Sequence, residues 1–326
     1  MPDTLSSLIA LLSDGAFHSG ERLGKTLGIS RAAVWKLVKG LEALGLEVYA
    51  VSGKGYRLAK PIELLNQDKI LAELDTTSRA LLDRFEVHNT LDSTNAYLMQ
   101  RAITGSLGGF ACVAEYQQKG RGRRGRQWVS PFGSNIYLSL LWRFQEGAGR
   151  LGGLSLAVAV ALMRALTELG LHNAGLKWPN DILVNQKKLA GILLEVAGES
   201  NGPCYAVIGL GVNFDMPEGV TDTIKQPWTD LRSCGFNGGR NVVAGRVLHH
   251  LLLAIPQYMH SGLDGFRKEW QKWDLTTNQS VVILQGEDKR YGVARGIDER
   301  GLLLVEDEQG IHSFSSGEVS LRATVS

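Results

Sequence analysis

Apolar residues recur at helical spacing near the start of the chain. Val34, Leu37, Val38 and Leu41 fall on one face of a segment that follows Ser30, and a shorter apolar run occupies residues 8–12. Ser30 is placed to cap the later helix, because its hydroxyl can accept a hydrogen bond from a free backbone amide. Short helices separated by glycine turns are typical of a helix-turn-helix unit.

Two strand-like runs follow within "LEVYAVSGKGYRLA" (46–59), on either side of Gly53-Lys54-Gly55. A basic hairpin after a helix-turn-helix indicates a winged helix. Residues 1–60 hold eight basic and five acidic residues, which favours DNA binding over a protein-binding winged helix or a solvated charged face. The candidate DNA-contacting residues are Ser30, Arg31, Trp35, Lys36, Lys39 and Lys54.

A proline-marked linker then leads into a helix. From about residue 85 the pattern changes to strands in runs with helices between them, which predicts a mixed sheet with helices packed on it. Residues 174–184 and 188–198 are predicted as two strands joined by a hairpin at 185–187. After Asp274 short strands alternate with glycine turns, which predicts a small barrel. The expected domains are a winged helix (1–62), a central catalytic domain (63–274) and a C-terminal barrel (275–326).

Composition argues against a general nucleic-acid-binding protein, a disulfide-rich protein and a membrane-spanning protein. The net charge of +2 is too small for general binding to nucleic acid, so any basic surface is local. The three cysteines include no CxxC pair, which fits a reducing compartment. The longest apolar stretch, residues 154–163, is shorter than the ~20 residues of a membrane span, and no signal peptide is evident. We therefore expect a cytoplasmic protein without a membrane partner.

The segment "GRGRRGRQW" (120–128) is the strongest chemical signal. Its glycines match G-x-G-x-x-G, but Pro131 and Gly133 follow where a dinucleotide site would begin a helix. Arginine/glycine nucleic-acid patches usually lie in longer disordered tracts, whereas this one lies between two apolar strands. Glycine lets the backbone approach a ligand, and arginine matches phosphate oxygens. We expect a mobile loop that closes over an anionic ligand.

Five motifs occur together and in order. They are "DSTN" (92–95), "EYQQKGRGRRGRQW" (115–128), "KWPND" (177–181), "KLAGIL" (188–193) and "GLGVNF" (209–214). As a set they resemble the biotin–protein ligase family, and the winged helix makes the whole chain similar to its bifunctional bacterial members, which also repress the biotin operon. The resemblance implies an α+β multidomain fold, with a class II synthetase-like central domain and an SH3-like C-terminal barrel.

The resemblance also implies an activity. The family uses ATP and Mg²⁺ to convert biotin to biotinyl-5′-adenylate and pyrophosphate, and then transfers biotin to one lysine of the biotin carboxyl carrier protein. In the bifunctional members the adenylate is also a corepressor, which promotes a homodimer that binds operator DNA. Two anions meet in the first step, so the protein must contribute mainly position and charge neutralisation.

Site residues follow from the resemblance, position by position. The expected biotin-binding residues are Ser93, Thr94, Asn95, Gln117, Gly120, Arg121, Gly122, Arg123, Lys188 and Gly191. The expected ATP and adenylate residues are Arg123, Arg126, Trp128, Asn180, Asp181, Lys188 and Asn213. Arg123 and Lys188 are the expected catalytic residues, and Mg²⁺ is expected to bind mainly through ATP.

Taken singly, several of these residues have ordinary structural explanations. Ser93 could cap a helix, Trp128 could belong to a core, and Asp181 could form a turn. Two other functions are alternatives: a ligand-sensing repressor without ligase activity, and an acyl ligase for lipoate. Lipoate lacks the ureido group, so the polar residues at 93–95 and 117 favour biotin.

Overall fold

The computed structural model describes residues 4–103, 108–198, 202–217, 219, 224–285, 288–315 and 320–323. Its first unit is the predicted winged helix. The Ser30 hydroxyl accepts a hydrogen bond from the Ala33 amide at 3.2 Å, so the expected helix cap is present. The elements of this unit are α1 (Thr4–Leu12), α2 (Gly20–Leu27), α3 (Arg31–Leu41), β1 (Val48–Val51) and β2 (Gly55–Leu58).

The wing is an antiparallel hairpin of β1 and β2, in which Val51 pairs with Gly55. Gly55 has a φ of 101°, and a Cβ there would lie 2.0 Å from the His18 carbonyl oxygen. Only glycine fits this position, because both the backbone conformation and the contact exclude a side chain. The close contact holds the wing against the segment that leads into α2.

A seven-stranded mixed sheet forms the centre of the chain, with strand order β3-β4-β5-β9-β8-β7-β6. The β3–β4 pair is parallel and the other pairs are antiparallel. The elements from the linker to the end of the sheet are α4 (Gln67–Leu71), α5 (Thr76–Ala80), β3 (Arg84–Leu91), α6 (Thr94–Ile103), β4 (Phe110–Gln117), β5 (Asn135–Phe144), α7 (Leu154–Glu168), β6 (Ala174–Lys177), β7 (Asp181–Val184), β8 (Lys187–Gly198) and β9 (Cys204–Asn213).

The prediction of one strand over residues 174–184 is wrong. The segment forms two short strands, β6 and β7, which pair antiparallel and bring Lys177 opposite Asp181. Pro179 lies in the turn between them, and proline cannot donate to a sheet ladder. The predicted hairpin before β8 is present, with positive φ at Asn185 and Gln186 as a two-residue hairpin turn requires.

Helices lie on both faces of the sheet, with α6 on the face opposite α7. The apolar helix α7 is buried along most of its length, as its composition predicts, and it packs against α8 (Arg240–Ser261) and α9 (Asp264–Trp273). Within the described ranges, no helix combines the length and apolar character needed to cross a bilayer. The apolar stretch at 154–163 is therefore a core helix.

The C-terminal unit is an antiparallel sheet with strand order β13-β12-β11-β10-β14. Among the residues described, no pairing joins the outer strands β13 and β14, so closure of this sheet into a barrel stays a prediction. Its strands are β10 (Ser280–Gln285), β11 (Asp288–Ile297), β12 (Leu303–Asp307), β13 (Gly310–Phe314) and β14 (Ser320–Ala323).

The winged helix packs against the central sheet through Phe132, which follows the arginine/glycine segment in the chain. Its side chain is 2% exposed and lies in the apolar core of the N-terminal unit. Its amide donates to the Leu44 carbonyl at 3.1 Å. The buried pair of Glu115 and Arg240 supports the linker nearby, because Glu115 also accepts from the Leu65 amide. The loop after the motif is therefore part of the contact between the two units.

Candidate active site

Two adjacent strands supply a floor of glycines. Gly211 of β9 pairs with Gly191 of β8, and Gly209 pairs with Leu193. A Cβ at Gly209 would lie 2.2 Å from Asn95 Oδ1, and one at Gly211 would lie 2.5 Å from the Trp128 indole. These distances are too short for any side chain, so glycine is required for Asn95 and Trp128 to lie on this face.

Polar side chains close one end of the pocket. Gln117 Oε1 accepts from the Thr94 amide at 2.9 Å, and Gln117 Nε2 donates to Ser130 Oγ at 3.1 Å. The Ser139 hydroxyl lies 2.8 Å from Thr94 Oγ1 and donates to Asn95 Oδ1 at 2.6 Å. This end offers both donors and acceptors, as a ligand with a urea-like group requires.

The arginine/glycine segment forms a hairpin on top of the pocket. The Trp128 amide donates to the Gly120 carbonyl at 2.9 Å, and the Gly122 amide donates to the Arg126 carbonyl at 2.7 Å. The turn at its tip has positive φ at Arg124 and Gly125. A Cβ at Gly120 would lie 2.3 Å from the Trp128 carbonyl oxygen, so this glycine permits the hairpin. In this structure the segment is folded over the pocket.

The Trp128 indole lies over the glycine floor, in contact with Gly191 and Gly211. Only about 60 Å³ of the inner pocket is open beside it. Its buried Nε1 has no hydrogen-bond acceptor in the part of the chain that the structure describes. The ring therefore covers the pocket, and it is not an ordinary core residue.

Two cations lie where the pocket opens outward. Lys188 Nζ is 2.8 Å from Asp181 Oδ1, and the lysine side chain is only 15% exposed. Arg123 Nη1 donates to Asn180 Oδ1 at 3.1 Å, and Asn180 Nδ2 donates to the Ile192 carbonyl at 2.7 Å. Burial lowers the pKa of the Arg123 guanidinium, and the neighbouring arginines add to this effect. A desolvated cation with a neutral partner favours an anionic ligand.

A second, larger cleft of about 790 Å³ continues from these cations. One wall is the segment 224–228, which belongs to none of the five sequence motifs. The Lys188 amide donates to the Pro227 carbonyl at 2.9 Å, and Asn213 Nδ2 donates to the Thr229 carbonyl at 3.0 Å. Trp228 is an isolated aromatic residue in a polar stretch, and this is the sequence feature that could have indicated a binding surface here.

The structure brings most of the predicted residues together. Those lining the inner pocket are Ser93, Thr94, Asn95, Gln117, Arg121, Gly122, Arg123, Trp128, Asn180, Lys188 and Gly191. Those lining the larger cleft are Gly122, Arg123, Arg126, Trp128, Asn180, Asp181, Lys188 and Asn213. The roles of these residues stay predictions.

Several predicted ligand-binding groups already have protein partners. The Asn95 amide contacts Ser139, Leu193 and Glu195, and the Asn213 side chain binds the Lys188 carbonyl at 3.3 Å. Asn95 and Asn213 therefore border the pocket and the cleft, while their side-chain amides hydrogen-bond to neighbouring protein groups. Tyr137 and Glu195 are further residues in or beside the pocket that the sequence did not indicate.

Carboxylate groups do not cluster in the described ranges, where no group of three or more His, Cys, Asp or Glu side chains could hold a metal ion. The lining side chains at the outer cleft are mainly cationic and amide groups. Cationic and amide groups suit an anionic ligand, and how Mg²⁺ binds stays a prediction.

The predicted DNA-contacting residues lie together on the winged helix. Arg31, Trp35, Lys36 and Lys39 are exposed on α3, and Lys39 Nζ lies 4.1 Å from the Trp35 ring centroid. Ser30 caps this helix, so its side chain has a structural function whether or not it meets DNA.

The wing adds a basic surface beside α3. Lys54 is exposed at its tip, 5.9 Å from the Phe17 ring. Arg57 is half-buried between the rings of Phe17 and Tyr49, which limits its reach toward a ligand.

Three family models match the chain. Residues 87–213 match the biotin/lipoate A/B protein ligase family, residues 4–57 match an HTH domain, and residues 276–322 match the biotin protein ligase C-terminal domain. The three matches follow the order of the N-terminal unit, the central sheet and the C-terminal sheet.

Relatives match over nearly the full length. The chain is 43% identical to the bifunctional ligase/repressor BirA of Escherichia coli, over 97% of this chain and 96% of the relative. It is 34% identical to the Bacillus subtilis protein of the same name, over 96% and 97%. A biotin protein ligase from Aquifex aeolicus, solved with biotin and ATP, has a TM-score of 0.63 at 29% identity and covers 74% of this chain and 100% of its own. The chain therefore belongs to the biotin protein ligase family, among its bifunctional ligase/repressor members.

Proposed function

We propose that this protein activates biotin with ATP and transfers it to a lysine of a biotin carboxyl carrier protein. The observation that supports this most is the position of Arg123 and Lys188. Both lie at the junction between a pocket with a polar end and a cleft large enough for a nucleotide. A carboxylate from one side and a phosphate from the other would meet at these two cations.

In the first step a biotin carboxylate oxygen attacks the α-phosphorus of ATP. The new bond is the carboxyl–phosphate bond, and the bond that breaks links the α-phosphorus to the oxygen retained by pyrophosphate. Negative charge gathers on the α-phosphate as both anions approach. Arg123 and Lys188 reduce the repulsion, and the Asn180 and Asp181 contacts fix their positions before the reactants arrive. Mg²⁺ would supply further charge neutralisation when it enters with the ATP phosphates.

In the second step the carrier lysine attacks the carbonyl carbon of the mixed anhydride. An amide bond forms, the carboxyl–phosphate bond breaks, and AMP leaves while the amine loses a proton. The hairpin 120–128 covers the pocket, so it would limit the access of water to the anhydride. A hairpin in this position favours retention of the adenylate until a carrier protein binds.

The test is pyrophosphate release with biotin and ATP, followed by transfer of labelled biotin to a carrier domain. Lipoate in place of biotin separates this proposal from a lipoate ligase, because the donors and acceptors at Thr94 and Gln117 suit a ureido ring. Release with lipoate and none with biotin would reject the proposal. A protein that binds biotin but releases no pyrophosphate would instead be a ligand sensor.

We also propose a second activity, repression by an adenylate-bound homodimer on operator DNA. The exposed basic residues of α3 and the wing support it, as does the contact of Phe132 with the winged-helix core. In this division residues 1–62 bind DNA, 63–274 bind biotin and ATP, and 275–326 form the C-terminal unit. The proposed ATP and DNA ligands support a cytoplasmic location.

Footprinting of DNA upstream of biotin-synthesis genes tests the second activity. Protection should require biotin and ATP together, because a ligand that binds the dimer-competent form more tightly shifts the population toward it. Sedimentation with and without the adenylate measures the dimer directly. Protection that ignores both ligands would argue against the adenylate as corepressor.

A further inference from the structure

Glu195 lies beside the biotin-site residues and belongs to no motif. It is on β8 opposite Val207, in the row of alternate residues Gly191, Leu193 and Glu195. The first two line the inner pocket. Alternate residues of a strand face the same side, so the carboxylate is the next group along the pocket floor.

One oxygen of this carboxylate accepts two hydrogen bonds. Asn95 Nδ2 donates to Glu195 Oε2 at 2.8 Å, and Arg121 Nη2 donates to the same atom at 3.1 Å. Asn95 belongs to the polar end of the pocket, and Arg121 belongs to the hairpin above it. Glu195 therefore connects the floor, the polar end and the covering hairpin through a single atom.

The contacts fix the orientation of Asn95. Its Nδ2 also donates to the Leu193 carbonyl at 3.1 Å, and its Oδ1 accepts from the Ser139 hydroxyl at 2.6 Å. The Glu195 carboxylate and the Leu193 carbonyl can only accept, so the amide nitrogen must face them. Asn95 is 3% exposed, and loss of one partner would leave a buried donor unsatisfied.

The Arg121 contact acts on the hairpin. Arg121 lies between Gly120 and Gly122, at the start of the segment that covers the pocket. Its side chain is 44% exposed and that of Glu195 is 27% exposed, so solvent screens the pair in part. A pair of this exposure suits a hairpin that must close and reopen, because its contribution is modest.

We propose that Glu195 is a positioning residue that holds the 120–128 hairpin against the β8–β9 floor and so sets how long the biotinyl adenylate is retained. This inference rests on the proposed ligase activity. Glu195 reaches the ligand space through Asn95 and Arg121, so its effect should fall on binding and release more than on the chemical step.

The test is the dissociation rate of preformed biotinyl-5′-adenylate, measured with Glu195→Ala. We expect roughly 5- to 20-fold faster dissociation and a similar rise in KM for biotin, with kcat of adenylate formation nearly unchanged. Glu195→Gln keeps the volume and one acceptor, so its effect should be smaller. It also gives a readout if the alanine variant folds poorly.

A double-mutant cycle with Arg121→Ala identifies the partner. If Glu195 acts partly through Arg121, the double variant should dissociate little faster than the faster single variant. Glu306→Ala is the matched control, since Glu306 forms a similar half-exposed pair with Arg295 in the C-terminal sheet. That variant should behave as wild type.

The outcomes separate the two claims. A wild-type protein that forms no adenylate would overturn the proposed function itself. A wild type that forms it normally, with dissociation from Glu195→Ala within twofold of wild type, would overturn only the positioning role. Independent, multiplying effects of Glu195→Ala and Arg121→Ala would also overturn the shared-contact account.

Discussion

Two cationic surfaces among the described residues differ in burial: one lines the pocket, and the other lies on the winged helix. Around the pocket, Arg123 and Lys188 are held by Asn180 and Asp181 and are largely removed from solvent. On α3 the basic side chains are exposed, and Lys39 lies over an indole. Charges that are fixed before a ligand arrives suit transition-state stabilisation. Exposed charges suit contact with a polyanion, where counterion release supplies the affinity.

Basic residues alone therefore do not reveal the type of site. The arginine/glycine segment has the composition of a nucleic-acid-binding patch. The basic residues of α3 are fewer and more widely spaced, although α3 is the predicted DNA-binding element. Burial and specific partners separate them, because a desolvated cation interacts with one bound anion more strongly than a solvated cation does. Substitutions that change position, charge or geometry should therefore affect the two surfaces unequally.

The largest effect should come from Lys188→Ala. Removal of a positioned cation should lower the rate of adenylate formation by roughly 10²- to 10³-fold. Pyrophosphate release with biotin and ATP measures this rate. Lys187→Ala is the control, since Lys187 is the exposed neighbour on the same strand and should keep nearly the full rate. Equal losses in both variants would show that general charge, and not position, matters at the pocket.

The contact between the two regions is the next target. Phe132→Ala removes a buried ring from the core of the winged helix and should lower the free energy of unfolding by about 3 kcal/mol. Urea unfolding followed by circular dichroism measures the change. Phe132→Leu keeps most of the buried volume and should cost less than half as much. Wild-type stability of the alanine variant would mean that the winged helix does not depend on this contact.

Geometry at the pocket is tested by Arg123→Lys. Lysine keeps the charge but loses the planar guanidinium that binds Asn180, so adenylate formation should slow by about tenfold. Arg124→Lys, at the exposed tip of the same hairpin, should change the rate less than twofold. On α3 the reverse exchange, Lys36→Arg, should leave DNA affinity nearly unaltered. An Arg123→Lys enzyme with wild-type rate would remove the geometric distinction between the surfaces.

The smallest effect should follow Lys36→Ala with Lys39→Ala. Loss of two phosphate contacts should weaken DNA binding several-fold and reduce the slope of log affinity against log salt by about 2. Fluorescence anisotropy over a salt series measures both quantities. Lys268→Ala, an exposed lysine on α9, is the control. The ligase rate of the double variant should stay at the wild-type value, and a large loss would contradict the separation of the two surfaces.

The extent of prediction from the sequence differs between these regions. Spacing and capping predicted α3 and its Ser30 cap, and two strand-like runs around Gly53-Lys54-Gly55 predicted the wing. The motifs placed Thr94, Gln117 and Lys188 in one site, where the structure also brings them together. The prediction of one strand over 174–184 was wrong. Its apolar residues suit two short strands as well as one, and Pro179 favours a turn because proline cannot donate to a sheet ladder.

Other features had no local signal. Glu195 resembles any polar residue on a strand until the pairing of β8 with β9 and the fold of the hairpin bring Asn95 and Arg121 to one oxygen. The segment around Trp228 lies 40 residues from Lys188 in the chain, yet it forms a wall of the same cleft through backbone hydrogen bonds. Contacts of this kind depend on sheet register and loop path, which a local pattern does not encode.

Residue order alone supplies the glycines of the floor, the arginines of the hairpin, and the periods of the helices and strands. These follow from local sterics and hydrophobic spacing. The folded chain, in contrast, sets which cations are buried against a partner and which remain in solvent, and it brings Phe132 into the core of a different unit. The physical reason is that burial and electrostatic strength depend on three-dimensional surroundings assembled from distant segments.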